Sequence, residues 1–323
     1  MTLLLSHDEV CAAVDMNDAI VAMELAFAEQ GEGFVTQPPR LNTKAGKGWL
    51  RLGPCVMERS GLMGFKAMNL APGVGVRYQV HLYRVADGEL LAIMDAQHLT
   101  TLRTGATSAV ATKRLAKSQP TMVAVLGSGV EAYAQLEAMD ALGLVKSARV
   151  YSKTEKNRAA FADAFKTKHA MDIKPVGGAR EACDGAGIVV AAVKSPETVF
   201  YGEWLKPGMH VNSVGTARHE QREIDPETFK RSAIIVVDTR EGVFGEAGDA
   251  VAAKDVVKPA DVHELSALVA GKAPKRTSDD QITLFKSVGT AVQDIALAGM
   301  IYNKALAKQI GTKIPGFPIV KKT

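Results

Sequence analysis

The sequence predicts an α/β protein built on a doubly wound parallel sheet, and two observations carry that expectation. From residue 121 onward, short and nearly continuous apolar runs alternate with helical patterns. Strands buried on both faces by crossover helices read this way. The first run, residues 121–126, leads straight into Gly127-Ser128-Gly129-Val130-Glu131-Ala132 and an alanine-rich helix. In this G-x-G-x-x-A pattern Gly127 lets the strand turn sharply, Gly129 lets backbone amides approach a pyrophosphate, and Ala132 permits close helix–strand packing. The helix N-terminus adds unpaired N–H groups and the positive end of a dipole. A Rossmann-type dinucleotide site is the expected use of Gly127, Ser128, Gly129, Val130, Glu131 and Ala132.

The remaining elements follow in order. Leu3, Leu4 and Leu5 form a short strand, and Ser6 caps a first helix. A longer amphipathic helix covers residues 17–30, with Ile20, Met23, Leu25 and Phe27 at helical spacing. Gly31, Gly33, Pro38 and Pro39 end it. Strands are expected at 49–52, 62–68, 78–85 and 90–94, with Asp87-Gly88 as a hairpin turn. A helix over 99–117 precedes a hinge at Ser118-Gln119-Pro120. Further strands are expected at 148–151, 187–193, 210–214 and 233–237, and a long last helix over 284–308.

Composition narrows the function. Lys and Arg number 39 against 35 Asp and Glu, a net charge of +4 without a polybasic block. That excludes the concentrated basic surface nucleic-acid binding needs. The content of 47% hydrophobic and 23% charged residues excludes disorder. Cys11, Cys55 and Cys183 are too scattered for a disulfide framework or zinc cluster and read as small buried hydrophobes in a reducing compartment. The N-terminal apolar run is too short for a signal peptide, and no stretch approaches the roughly 20 apolar residues of a membrane span. A soluble, cytoplasmic protein is expected. His81, His98 and His219 lack ligand spacing, so no metal is expected. Asp238 and Asp249 read as loop and capping residues.

The cofactor's adenosine end can be read from the second strand. It closes on Val150-Tyr151-Ser152-Lys153-Thr154, with no acid to accept from ribose hydroxyls. Ser152, Lys153, Thr154 and Arg158 instead suit a 2′-phosphate, so NAD(P)H is expected with NADPH favoured.

Two more blocks, residues 99–109 around Arg103-Thr104-Gly105-Ala106 and residues 283–294 around Ser287-Val288-Gly289-Thr290, flank the glycine motif. In that order and spacing the three resemble the ornithine cyclodeaminase and mu-crystallin family over nearly the whole chain. The resemblance implies a discontinuous α+β substrate and dimerisation domain, residues 1–117 with 295–323, around a nucleotide domain of residues 118–294, with the active site in the cleft and a homodimer as the assembly. It implies that Arg40, Lys66 and Arg103 hold a substrate carboxylate, as guanidinium forks do. Val288 is expected near substrate and nicotinamide. Thr104, Ala192, Val193, Val214, Gly215 and Thr216 complete the expected cofactor contacts.

Cyclodeaminases carry an aspartate where this chain has Ala217, which argues against ornithine cyclisation. The implied activity is reduction of a 2-imino acid to an amino acid. Lys66 would be the catalytic residue, hydrogen-bonding or protonating the imine nitrogen. Arg77 and Arg218 raise the case of a second carboxylate, as in iminosuccinate. Cyclic ketimine reduction and alanine dehydrogenation are the nearest alternatives, and a nucleotide-dependent binding protein is the alternative of another class.

Overall fold

The structure, a computed structural model, describes residues 1–320. It comprises two compact units, Met1–Arg103 with the chain from Thr290 onward, and Thr104–Gly289. These divisions fall before the expected 117 and 294. The reason is the helix Gln97–Leu115, whose second half belongs to the central unit. There Asn212 Nδ2 donates to Thr112 Oγ1 (2.9 Å) and Thr283 Oγ1 donates to the Leu115 carbonyl (2.9 Å).

The first unit opens with β1 (Thr2–Leu5) and a helix, His7–Ala13, on which Ser6 and Glu9 form a capping box. Cys11 on this helix is exposed and does not meet the expectation of a buried thiol, whereas Cys55 and Cys183 do. The helix Met16–Gly31 buries Ala19, Ala22, Met23, Ala26 and Phe27. Their spacing of three and four places them on one face. Then come β2 (Val35–Thr36), β3 (Leu41–Ala45), β4 (Gly48–Met57), β5 (Leu62–Ala71), β6 (Gly75–Arg84) and β7 (Leu90–Asp95). The first strand pair beyond Pro38-Pro39, β3 with β4, was not expected as a separate hairpin.

The central unit holds β8 (Val123–Leu126), β9 (Ser147–Tyr151), β10 (Asp172–Pro175), β11 (Ile188–Ala191), β12 (His210–Ser213), β13 (Ile234–Val237), β14 (His263–Glu264) and β15 (Thr283–Lys286). Their order is β10-β9-β8-β11-β12-β15-β13-β14, and every pairing is parallel. The chain winds outward from β8 in both directions, so the sheet reverses between β8 and β11. A crevice outside the strand ends at such a reversal is where open α/β sheets bind ligands. The start of the last helix is corrected here. Residues 283–286, expected as helical from 284, are a strand inserted between β12 and β13. Leu284, Phe285 and Lys286 are buried because the sheet covers them on both edges. A segment this short does not reveal its period, which is why it merged with the helix behind it.

The last helix is Ala291–Lys308, followed by β16 (Thr312–Ile314) in the first unit. That unit's sheet runs β16-β1-β7-β6-β5-β4-β2, with β3 on β4. Ala291–Lys308 packs on Met16–Gly31 and on β5. Among the described residues no helix is long and apolar enough to cross a membrane.

Candidate active site

In the first unit the cationic residues converge on one carboxylate. Lys66 lies in the middle of β5, paired with Gly53 on β4 and Val80 on β6. Its face of the sheet is the one toward Ala291–Lys308, since a Cβ on Gly64, two residues earlier, would meet Ile295 Cδ1 at 3.0 Å. Lys66 Nζ donates to Asp294 Oδ1 (2.7 Å) and to Thr100 Oγ1 (3.4 Å). Arg103 Nε donates to the same Asp294 oxygen (3.1 Å), and Arg103 Nη1 to Gln293 Oε1 (3.1 Å). The Lys66 and Asp294 side chains are each 6% exposed. Burial brings the Lys66 ammonium down to about 8, with Arg103 and Arg40 pushing the same way and Asp294 opposing them. Arg40, after Pro38-Pro39, is half-buried. The structure thus brings Lys66, Arg103 and the charge of Arg40 together.

Arg77 and Val288, also expected at the substrate, take no part in these hydrogen bonds. Arg77 pairs with Asn69 on β5, one residue out of phase with the Lys66–Val80 pair. It therefore leaves the sheet on the face opposite Lys66, where it is exposed and lines a shallow hollow with Gln79 and Asp95. Val288 belongs to the central unit, where its N–H donates to Asp238 Oδ2 (3.0 Å) and its side chain packs on the core. Asp238, read as a capping residue, also takes the Ser287 hydroxyl (2.7 Å) and the Gly289 N–H (2.6 Å). Arg218 is exposed, 4.0 Å from Glu220. Asp294 carried no expected role, although it stands in the 283–294 block.

The central unit holds a cavity of about 710 Å³ beside the reversal of its sheet. Of the expected cofactor residues, Gly127 to Glu131 line it, as do Ser152, Lys153, Ala192 and Val193. The segment 194–199, with Tyr201 and Trp204, completes the wall without having been foreseen. Gly127 has φ +125°, and a Cβ there would stand 2.6 Å from the Ala192 carbonyl oxygen. Only glycine fits. In front of Gly129, the N-cap of helix Val130–Ala141, a Cβ would meet nothing within 4 Å. This open space before a helix N-terminus fits a pyrophosphate. Ala132 is fully buried under the helix, as the motif requires.

The other expected cofactor residues do not line the cavity. Arg158 donates to the Ser152 carbonyl (3.1 Å) and so braces the loop that carries Lys153 and Thr154. Lys153 itself reaches Glu197 (3.3 Å), both widely exposed. The Thr104 carbonyl accepts from Gln135 Nε2 (3.0 Å), and Val214 N–H donates to the Ala191 carbonyl (3.0 Å). Gly215 N–H donates to Glu223 (2.9 Å), and Thr216 Oγ1 is buried without a hydrogen-bond partner. Among the described residues no group of three or more His, Cys, Asp or Glu side chains could hold a metal ion.

A family model described as the ornithine cyclodeaminase/mu-crystallin family matches residues 1–309. The chain belongs to the ornithine cyclodeaminase/mu-crystallin family. Family relatives resemble it over most or all of its length. An alanine dehydrogenase of Archaeoglobus fulgidus is 32% identical, over 98% of this chain and 99% of that protein. The ketimine reductase mu-crystallin of Mus musculus is 31% identical, over 86% and 88% of the two chains. Among solved structures, the Δ1-pyrroline-2-carboxylate reductase of Thermococcus litoralis, in complex with NADH and L-proline, superposes with a TM-score of 0.91. It is 35% identical and covers 97% of this chain and 100% of its own.

Proposed function

We propose that the protein is an NAD(P)H-dependent reductase of the C=N bond in 2-imino monocarboxylic acids, giving the amino acid. The observation that carries this reading is the buried Lys66–Arg103–Asp294 cluster. Arg103, helped by the charge of Arg40, is a fork for one carboxylate. Thr290 Oγ1 and Gln293 Nε2 are buried without partners in the same unit and leave two more donors for such an anion. Lys66, held near 8 by burial, keeps its proton at neutral pH and can release it. Its Nζ hydrogen-bonds the substrate nitrogen and supplies the proton that nitrogen gains. Asp294 holds that Nζ in place. The nicotinamide, when bound in the cavity of the central unit, supplies the hydride.

Because Arg77 points away from Lys66 and Arg218 is exposed, neither supports a pocket for a second carboxylate. A single-carboxylate substrate is therefore favoured over iminosuccinate, and the proline bound by the Thermococcus litoralis relative supports a cyclic one. Ala217 offers no carboxylate for ornithine cyclisation. The test is cofactor oxidation with Δ1-pyrroline-2-carboxylate, Δ1-piperideine-2-carboxylate, pyruvate with ammonium, and oxaloacetate with ammonium. Turnover of the cyclic imines is expected. Turnover confined to oxaloacetate with ammonium would reject the single-carboxylate reading, and tight binding without turnover of any imine would reject the enzyme.

The Ser152–Thr154 loop, free of acid, favours NADPH. Lys153→Ala is expected to raise the KM for NADPH by about 5–10-fold, the worth of an exposed charge-assisted contact, and to leave that for NADH unchanged. Equal effects on both cofactors would remove Lys153 from the phosphate site. We also read the protein as a homodimer, the state of the solved archaeal alanine dehydrogenase at 33% identity. Its three free cysteines suit a cytoplasmic setting.

A further inference from the structure

Below the strand ends of the central unit lie three charged side chains with no solvent exposure. Glu223 and Asp249 flank Lys286, whose Nζ stands 3.4 Å from Glu223 Oε1, 3.0 Å from Asp249 Oδ2 and 2.9 Å from Ser213 Oγ. Glu223 Oε1 also accepts from Ser213 Oγ (2.7 Å) and from Gly215 N–H (2.9 Å), while Oε2 accepts from Val193 N–H (3.1 Å).

The backbone explains what this carboxylate is for. The ladder between β11 and β12 ends at Ala191 and Ser213, and the Val214 N–H still reaches the Ala191 carbonyl. One residue further on, the N–H groups of Gly215 and Val193 have no carbonyl to meet, and the two oxygens of Glu223 take them. A Cβ on Gly215 would stand 2.3 Å from Val193 N and 2.6 Å from Glu223 Oε2, so the two segments are drawn as close as glycine allows. Val193 is on the wall of the cofactor cavity.

Stability alone is a poor reason for this arrangement. A buried ion pair is commonly no more stabilising than a hydrophobic replacement of the same volume. What an apolar trio could not do is accept two backbone N–H groups at diverging strand ends.

We propose that Glu223, backed by Lys286 and Asp249, is a positioning residue for the nicotinamide cofactor, clamping the Gly215 turn to Val193 on the cavity rim. It touches neither cofactor nor substrate and acts through the backbone it holds. The proposal rests on the cavity being the cofactor site and not on the identity of the imine.

Glu223→Gln is the test, because the amide keeps the shape but offers one accepting oxygen and turns an NH2 group toward one of the two N–H groups. NADPH binding, or NADH binding if the parent prefers it, followed by nicotinamide fluorescence on the whole enzyme, is expected to weaken by at least about tenfold, as for a lost charge-assisted hydrogen bond. The KM for the imine and kcat at saturating cofactor are expected to stay near the parent values. A folded Glu223→Gln variant with the parent Kd for that cofactor overturns the proposal, whatever its Tm, and assigns the trio to the fold alone. If that variant is insoluble, Glu223→Gln with Lys286→Met and Asp249→Asn, which removes all three charges together, is read by the same titration with the same two outcomes. Loss of imine turnover with an unchanged Kd counts against the clamp and leaves the cofactor cavity standing, whereas a parent enzyme that binds neither NADPH nor NADH overturns both.

Discussion

Lys66→Met lowers kcat/KM for imine reduction by about 10²–10⁴-fold, the usual worth of a positioned proton donor, while the Kd for NADH is unchanged. Methionine nearly fills the volume that lysine leaves, and Asp294 keeps Arg103 as its partner. The loss therefore falls on chemistry and substrate binding. The pH profile separates the two. With the Lys66 ammonium at about 8, the acid form prevails below that pH and the proton donor is lost as pH rises through it. The parent kcat/KM for reduction is therefore flat on the acid side and falls above about pH 8. Lys66→Arg keeps the positive charge but cannot give up its proton, so it retains substrate binding at low activity and lacks the alkaline limb. A Lys66→Met enzyme keeping more than about a tenth of the parent kcat/KM would remove Lys66 from the proton path.

Asp294→Asn is expected to have the second largest effect, and a double one. The carboxylate holds two buried cations, and removing one partner from a buried ionic cluster costs about 3–5 kcal/mol, measurable by urea denaturation. Asp294 also opposes the fall of the Lys66 pKa, whereas Arg103 and Arg40 promote it. Without that negative charge the Lys66 ammonium loses its proton more readily, so the alkaline limb of kcat/KM moves below pH 8. An unmoved limb would show that Asp294 only stabilises the fold.

What was legible in the sequence was local. The glycine turn, its strand and its helix follow from adjacent residues, and their φ and Cβ geometry is the one the motif requires. Lys66 and Arg103 were singled out from the short blocks around them, and the structure brings both side chains onto Asp294. Asp294 was not given a role because its partners lie 228 and 191 residues away, beyond any spacing rule. Glu223 is hidden in the same way, being 63 residues from Lys286 and 30 from Val193. Arg77 shows the opposite failure. Its neighbourhood in sequence suggested the site, but a strand alternates faces, and the register of β5 with β6 puts it on the far side from Lys66. The misplaced helix start at 284 has a related root, since a strand of four residues, Thr-Leu-Phe-Lys, is too short to show a period of its own.

The interrupted course of the first unit bears on how the chain matures as it is made. Thr104–Gly289 is continuous, so its parallel sheet can close before synthesis ends. The opening hundred residues cannot finish their own structure at that stage. β1 awaits its antiparallel neighbour β16, and Lys66 and Arg103 await Asp294. On the ribosome, two cations bound for a dry interior therefore remain without their counter-charge until the final helix emerges. The earlier part of this unit is completed by the later one, and Lys66 meets Asp294 only once the helix Ala291–Lys308 has been made.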